Sequence, residues 1–216
     1  MSIIFYTISK NQWSYSDIDL YSLSLPLFLQ KRLSPIVNPQ KKQKKIIALL
    51  LLRTALKMVG LNHISLNDLS YTPSGKPIFD GTIHCSISYT EDYTAIILSN
   101  KLIGIDIEKI KRIKPDDFKE YLTKNEWEFI INSPDVLESF FIIWTRKEAL
   151  LKTVGSGLLN PINEFEVLRE SVTIKKMNFT FLSKRINEDY IVSLATTLSF
   201  GLTHSYEIQN SQLLIH

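Results

Sequence analysis

Residues Gly104-Ile105-Asp106-Ile107-Glu108 alternate apolar and acidic side chains, and Trp144-Thr145-Arg146-Lys147-Glu148-Ala149-Leu150-Leu151-Lys152 carry a carboxylate and an ammonium at helical spacing. In a strand, residues two apart share a face, so Asp106 and Glu108 project together while Ile105 and Ile107 turn toward a core. Two neighbouring carboxylates repel unless water solvates them or a cation bridges them. An exposed polar face therefore stands beside a second reading, a magnesium site in which hard carboxylate oxygens share the ion with substrate phosphates. On a helix, Glu148 and Lys152 lie one turn apart in the favourable acid-before-base order. Alone they are an ordinary surface pair; with the strand acids they fit a divalent metal and a phosphate ester.

Working outward, the spacing predicts strands at Ile83–Ser88, Tyr93–Ser99 and Leu102–Glu108, the first with a partial alternation of Ile83 and Ile87 against Ser86 and Ser88. Ile3–Ile8 reads as an earlier strand. Asn38-Pro39 supplies an N-cap and first turn for a helix to about Val59, with Gly60 as its C-terminal cap. Pro73–Pro77 is a turn by composition. Thr123-Lys124-Asn125-Glu126 forms a capping box, and Ser133-Pro134 marks the start of a longer helix to about Thr153, ended by Gly155 and Gly157. Phe165–Leu168, Val172–Met177 and Tyr190–Thr196 read as strands. Glu91-Asp92-Tyr93 recurs as Glu188-Asp189-Tyr190, each ahead of a strand. With helix followed by strands in both halves, an α+β pair of related subdomains is expected.

The 216 residues suffice for one large domain or two small ones, and 44% hydrophobic with 22% charged residues is ordinary for a soluble globular chain. The net charge of +3 conceals two basic clusters, Lys41, Lys42, Lys44, Lys45 and Lys109, Lys111, Arg112, Lys114. These are solvated faces or a surface for an acidic or phosphate-rich partner. Without aromatic interleaving or a nucleic-acid motif, DNA and RNA are not expected partners. Cys85 is the single cysteine, so no disulfide forms within the chain and a reducing cytoplasm is the expected setting. The start at Met1 lacks the basic flank of a secretion signal. The longest apolar run, Ile46–Leu52, is far shorter than the ~20 residues a membrane span needs, so no membrane association is expected.

The ordered set Gly75-Lys76-Pro77, Gly104–Glu108, Trp144–Lys152 and Gly155-Ser156-Gly157-Leu158 closely resembles the signature of the phosphopantetheinyl transferases, over about residues 73–159. The single-chain, surfactin-synthetase-activating type fits the length. That resemblance implies an α+β fold of two similar subdomains related by a pseudo-twofold, 1–102 and 103–216, with the active site in the cleft between them. It implies a magnesium-dependent enzyme that moves the phosphopantetheine arm of coenzyme A onto a serine of an acidic apo-carrier protein, releasing adenosine 3′,5′-bisphosphate. Asp106, Glu108 and Glu148 match the family's metal ligands, Glu148 also its base, and Lys152 its phosphate-binding lysine. Lys45, Arg53, Lys76, Ser88 and Tyr89 fall where the family contacts coenzyme A. Two subdomains in one chain imply a monomer. The family's Phe-Asn-x-Ser-His-Ser is here Cys85-Ser86-Ile87-Ser88-Tyr89-Thr90, so a tyrosine that carries no positive charge replaces the histidine near the 3′-phosphate. A non-catalytic coenzyme A or carrier-protein binding module of the same fold is the alternative. An unrelated magnesium phosphotransferase would need a phosphate-cradling glycine loop, and none is present.

Overall fold

In the computed structural model, residues 2–9, 12–81, 83–155, 161–197 and 203–208 are described. The first half runs β1 (Ser2–Ile8), α1 (Tyr15–Leu23), α2 (Leu27–Leu33), α3 (Pro39–Met58), β2 (Leu69–Tyr71), β3 (Pro77–Phe79), β4 (His84–Tyr89) and β5 (Tyr93–Ser99). The second runs β6 (Ile103–Lys109), α4 (Lys124–Ile131), α5 (Val136–Val154), β7 (Ser171–Ile174), β8 (Met177–Ile186), β9 (Tyr190–Thr196) and β10 (Thr203–Glu207).

Local chemistry sets several of these boundaries. Asn38 caps α3, its side chain accepting from Lys41 N at 2.8 Å, with Pro39 in the first turn. The Thr123–Glu126 capping box opens α4. Helix α5 begins two residues later than the Ser133-Pro134 pair predicts: Asp135 is its N-cap and accepts from Glu138 N at 2.9 Å. Phe165–Leu168 is not a strand, because Val167 N is taken by the Glu126 carboxylate at 2.9 Å instead of by a ladder. The expected strand Val172–Met177 is broken at Lys175-Lys176, both with left-handed φ (47° and 67°), which turn the chain from β7 into β8.

Among the described residues, two four-stranded sheets form, ordered β10-β1-β5-β4 and β6-β9-β8-β7, beside a two-stranded β2-β3 ribbon. Within them β1-β5-β4 and β6-β9-β8 repeat one antiparallel order, each with a long helix between its first strand and its later ones. β10 crosses back to pair parallel with β1, so part of the segment after residue 103 lies in the first sheet. Helix α3 covers the first sheet with a fully buried stripe that includes Ile46, Leu51, Leu52 and Ala55. Helix α5 covers the second through Phe140, Ile143, Ala149 and Leu150. A third apolar cluster, including Tyr93, Ile97, Ile105, Ile107, Tyr190 and Leu194, joins the sheets to each other. Among the described residues, no helix is long and apolar enough to cross a membrane.

Candidate active site

The site is organised where α5 crosses β6. Gly104 makes that crossing possible: a Cβ there would stand 2.6 Å from Thr153 Oγ1 and 2.7 Å from Thr153 N, and closer still to the Ala149 carbonyl. Thr153 Oγ1 then ties the helix to the sheet, donating to the carbonyls of Ala149 at 2.8 Å and Ala195 at 2.9 Å. Thr145 shares a hydroxyl bond with Ser193 at 2.7 Å. Lys147, next to Glu148, points into the core. It pairs with Glu126 at 2.9 Å and donates to the carbonyls of Ile162 and Phe165. Glu126 thus serves both its capping box and this buried pair, and stays outside the site.

On β6, Ile105 and Ile107 are buried, and Asp106 is buried on the opposite face. Its Oδ1 accepts from Lys152 Nζ at 2.6 Å and Ser88 Oγ at 2.9 Å. Among the described residues, its Oδ2 is buried with no hydrogen-bond partner. Burial, then the Asp106 charge, pushes Glu108 up to about 7 against the pull of Lys111 and Lys152; Glu148 contributes in the same upward direction. Glu148 is likewise raised, by burial first and Asp106 second, with Lys152 opposing. The three acids therefore sense one another's charge, and Lys152 partly neutralises the cluster. Among the described residues, no three acidic, histidine or cysteine side chains converge as a metal cage. The donor chemistry nevertheless fits a hard cation: three carboxylates, one with an unsatisfied buried oxygen.

Glu148 and Lys152 open onto a cavity of about 290 Å³ whose other wall is Ser74, Gly75, Lys76 and Ser86 from the first half. Lys76 Nζ donates to the Thr153 carbonyl at 2.6 Å, so it also closes the C-terminal end of α5. Gly75, Pro77 and Ile87 are shared with a neighbouring cavity of about 220 Å³ lined by Arg32, Lys45, Ala48, Tyr71 and Tyr89. Burial and then repulsion from Lys41 and Arg32 lower the Lys45 pKa, and burial raises that of Tyr89. Arg32, which the sequence reading missed, lies 3.9 Å over the Tyr71 ring. The only signal for it was the Lys31-Arg32 pair in a short helix whose period is too brief to read.

The expected residues thus divide. Asp106, Glu108, Glu148, Lys152 and Ser88 form one cluster, and Lys76, Lys45 and Tyr89 line the adjoining cavities. Arg53 instead lines a different depression of about 430 Å³, with Lys57, Asn62 and Asn67. Ser88 is buried and bonded to Ile107 N, Asp106 and Lys152, so it serves the acid cluster directly. Gly157 lies outside the described residues.

Residues 102–196 match the family model described as the 4′-phosphopantetheinyl transferase superfamily. The chain is 33% identical over 132 residues to the 4′-phosphopantetheinyl transferase gsp of Aneurinibacillus migulanus, covering 60% of this chain and 55% of that protein. It is 33% identical over 131 residues to a putative 4′-phosphopantetheinyl transferase of Haemophilus influenzae, covering 57% and 56%. Against a 4′-phosphopantetheinyl transferase of Bacillus subtilis the identity is 29% over 135 residues, 60% of each chain. The chain spans a little over half the length of these relatives.

Proposed function

We propose that this chain, whose residues 102–196 match the 4′-phosphopantetheinyl transferase superfamily, is a member of it and transfers the phosphopantetheine arm of coenzyme A to a serine hydroxyl of an apo-carrier protein. The observation that carries the reading is the cavity where Glu148 and Lys152 of α5 face Lys76 and Ser86 of the first half. In the reaction, the serine oxygen forms a bond to the phosphorus that bears the pantetheine. The bridging P–O bond of the pyrophosphate breaks, and adenosine 3′,5′-bisphosphate leaves.

Glu148, whose carboxyl is held above its ordinary range by burial and by Asp106, is the candidate base for the serine proton. Lys152, 2.6 Å from Asp106, is the candidate for steadying the phosphates and protonating the departing oxygen. Asp106 through its unpartnered Oδ2, together with Glu108 and Glu148, would hold a divalent cation, magnesium by the family resemblance. When bound, that ion neutralises charge on the pyrophosphate. Arg32, Lys45, Lys76 and Tyr89 are read as contacts to the nucleotide end, with Arg32 a second cation in the cavity where Tyr89 supplies none. On this reading residues 1–102 supply nucleotide contacts and residues 103–216 the metal and catalytic groups. Lys111, Arg112 and Lys114 are exposed just beyond Glu108 and suit the acidic surface of a carrier. Replacing Lys111 and Arg112 by glutamate should raise the carrier KM.

Intact-mass spectrometry of apo-carrier proteins incubated with coenzyme A and magnesium tests the reading. A gain of one phosphopantetheine arm, absent with Glu148→Ala, is expected. Binding of coenzyme A with no mass shift on any carrier would leave only a binding module.

A further inference from the structure

The Glu-Asp-Tyr triplet that occurs twice in the chain takes no part in the acid cluster. In the fold its copies stand at the corners leading into β5 and β9, and the two corners meet. The rings of Tyr93 and Tyr190 pack edge to face, 4.7 Å between centroids, and both side chains are buried. Each hydroxyl is held from the opposite half. Tyr190 donates to Asp92 Oδ2 at 2.5 Å, and Asn187 Nδ2 donates to the Tyr93 hydroxyl at 3.0 Å. The backbones correspond too: the Asp92 carbonyl accepts from Ser9 N at 2.7 Å, and the Asp189 carbonyl from Ile110 N at 2.6 Å. Lys109, opposite Tyr190 in the β6–β9 register, reaches Glu91 at 3.4 Å and Asp92 at 3.9 Å.

This junction lies on the seam between the halves. Among the described residues, no ladder pairs β4 with β6. Side chains join them instead, at alternate residues of β6. Ser86 Oγ accepts from Ile105 N at 3.1 Å, Ser88 Oγ accepts from Ile107 N at 3.3 Å, and Lys109 meets the Glu91–Asp92 corner. The two serines line the site or bind its acids. The third junction lies outside the site, next to Glu108 on one strand and just past Tyr89 on the other. Burial and the Asp92 carboxylate both hold the Tyr190 phenol above its ordinary pKa, so it remains a donor. A phenol bonded to a carboxylate is among the stronger hydrogen bonds, and the packed rings leave it little freedom.

We propose that the paired corners form a clasp that presets the separation of the two halves, with Asp92 and Tyr190 as positioning residues for a ligand that spans both. The inference rests on coenzyme A being that ligand: its nucleotide end would lie toward Arg32 and Lys45, its pyrophosphate toward Asp106 and Lys152. A spanning ligand gains both sets of contacts at once only if their spacing is fixed beforehand. Otherwise ordering the halves is charged against its affinity, while a fragment touching one half escapes that cost.

Calorimetric titration with coenzyme A and with adenosine 3′-phosphate, which carries the nucleotide end without either pyrophosphate phosphate, tests the clasp. Tyr190→Phe keeps the ring and removes the hydroxyl; Asp92→Ala removes the acceptor; Asp92→Asn keeps an acceptor oxygen. Tyr190→Phe and Asp92→Ala should weaken coenzyme A about tenfold, leave the adenosine 3′-phosphate within about twofold, and Asp92→Asn should recover most of the loss. Equal weakening of both ligands, as general loosening of the fold would give, or no change in either, overturns the clasp. Failure of the unmodified chain to bind coenzyme A overturns the functional reading itself, and is seen before any variant is made.

Discussion

Gly104→Ala places one methyl group where α5 rests on β6. The added carbon would stand 2.6 Å from Thr153 Oγ1 and 2.7 Å from Thr153 N, and closer still to the carbonyl of Ala149. Normal contact needs roughly 3.4 Å or more, so the helix must retreat by about 1 Å, because backbone atoms cannot rotate aside as a side chain can. Gly104 does not have a left-handed φ, so the penalty is one of space and not of backbone conformation. Overpacking of this kind costs about 1–3 kcal/mol, and contact with helix backbone puts the expectation near the upper end. The same shift moves Glu148 and Lys152, including a Lys152–Asp106 contact of 2.6 Å. A misplacement of about 1 Å in reacting groups costs on the order of a hundredfold in rate. Urea unfolding with a shared slope measures the first effect, and initial transfer rates at saturating coenzyme A measure the second. An alanine variant within about 0.5 kcal/mol of the parent and with full transfer rate would refute the account of this crossing.

The buried Glu126–Lys147 pair is fully bonded, so Lys147→Met should destabilise by about 3–5 kcal/mol through the stranded carboxylate. Adding Glu126→Leu should restore part of that loss in a double-mutant cycle, and strict additivity would contradict the pairing. Cys85 is buried and its thiol is pushed up to about 12, so iodoacetamide at pH 8 should label it only after unfolding. Its folded pKa exceeds the unfolded value, so its contribution to stability is complete below about pH 9 and is lost as pH rises toward 12; denaturation across that window reads the sign. Chelation should abolish transfer while leaving the chain folded by circular dichroism, with magnesium restoring activity. Retained transfer in excess chelator would remove the cation from the reaction.

Local rules made much of this chain legible. Asn38-Pro39 and the Thr123–Glu126 box cap their helices through contacts within four residues, and the two-residue period of Gly104–Glu108 correctly put isoleucines on one face and acids on the other. The repeated Glu-Asp-Tyr was visible, and so was the Glu148–Lys152 spacing. Other features depend on partners distant in the chain. The alternation of β4 could be read, but only packing against β6 decided that Ser86 and Ser88 face inward, because their hydroxyls serve backbone N–H groups of that strand. Lys147 finds Glu126 and two loop carbonyls, while its neighbour Glu148 opens to a cavity, a division set by the rotation of α5 on its sheet. Lys45 and Arg53 share one helix yet border separate depressions, because Lys45 faces α2 and strands β2 to β4 while Arg53, eight residues on, faces the segment after α3 at Asn62 to Asn67. Sequence determined which residues could carry the chemistry, since caps and periods are short-range. The tertiary fold decided which of them meet, because burial and charge neighbours come from segments the local pattern does not contain.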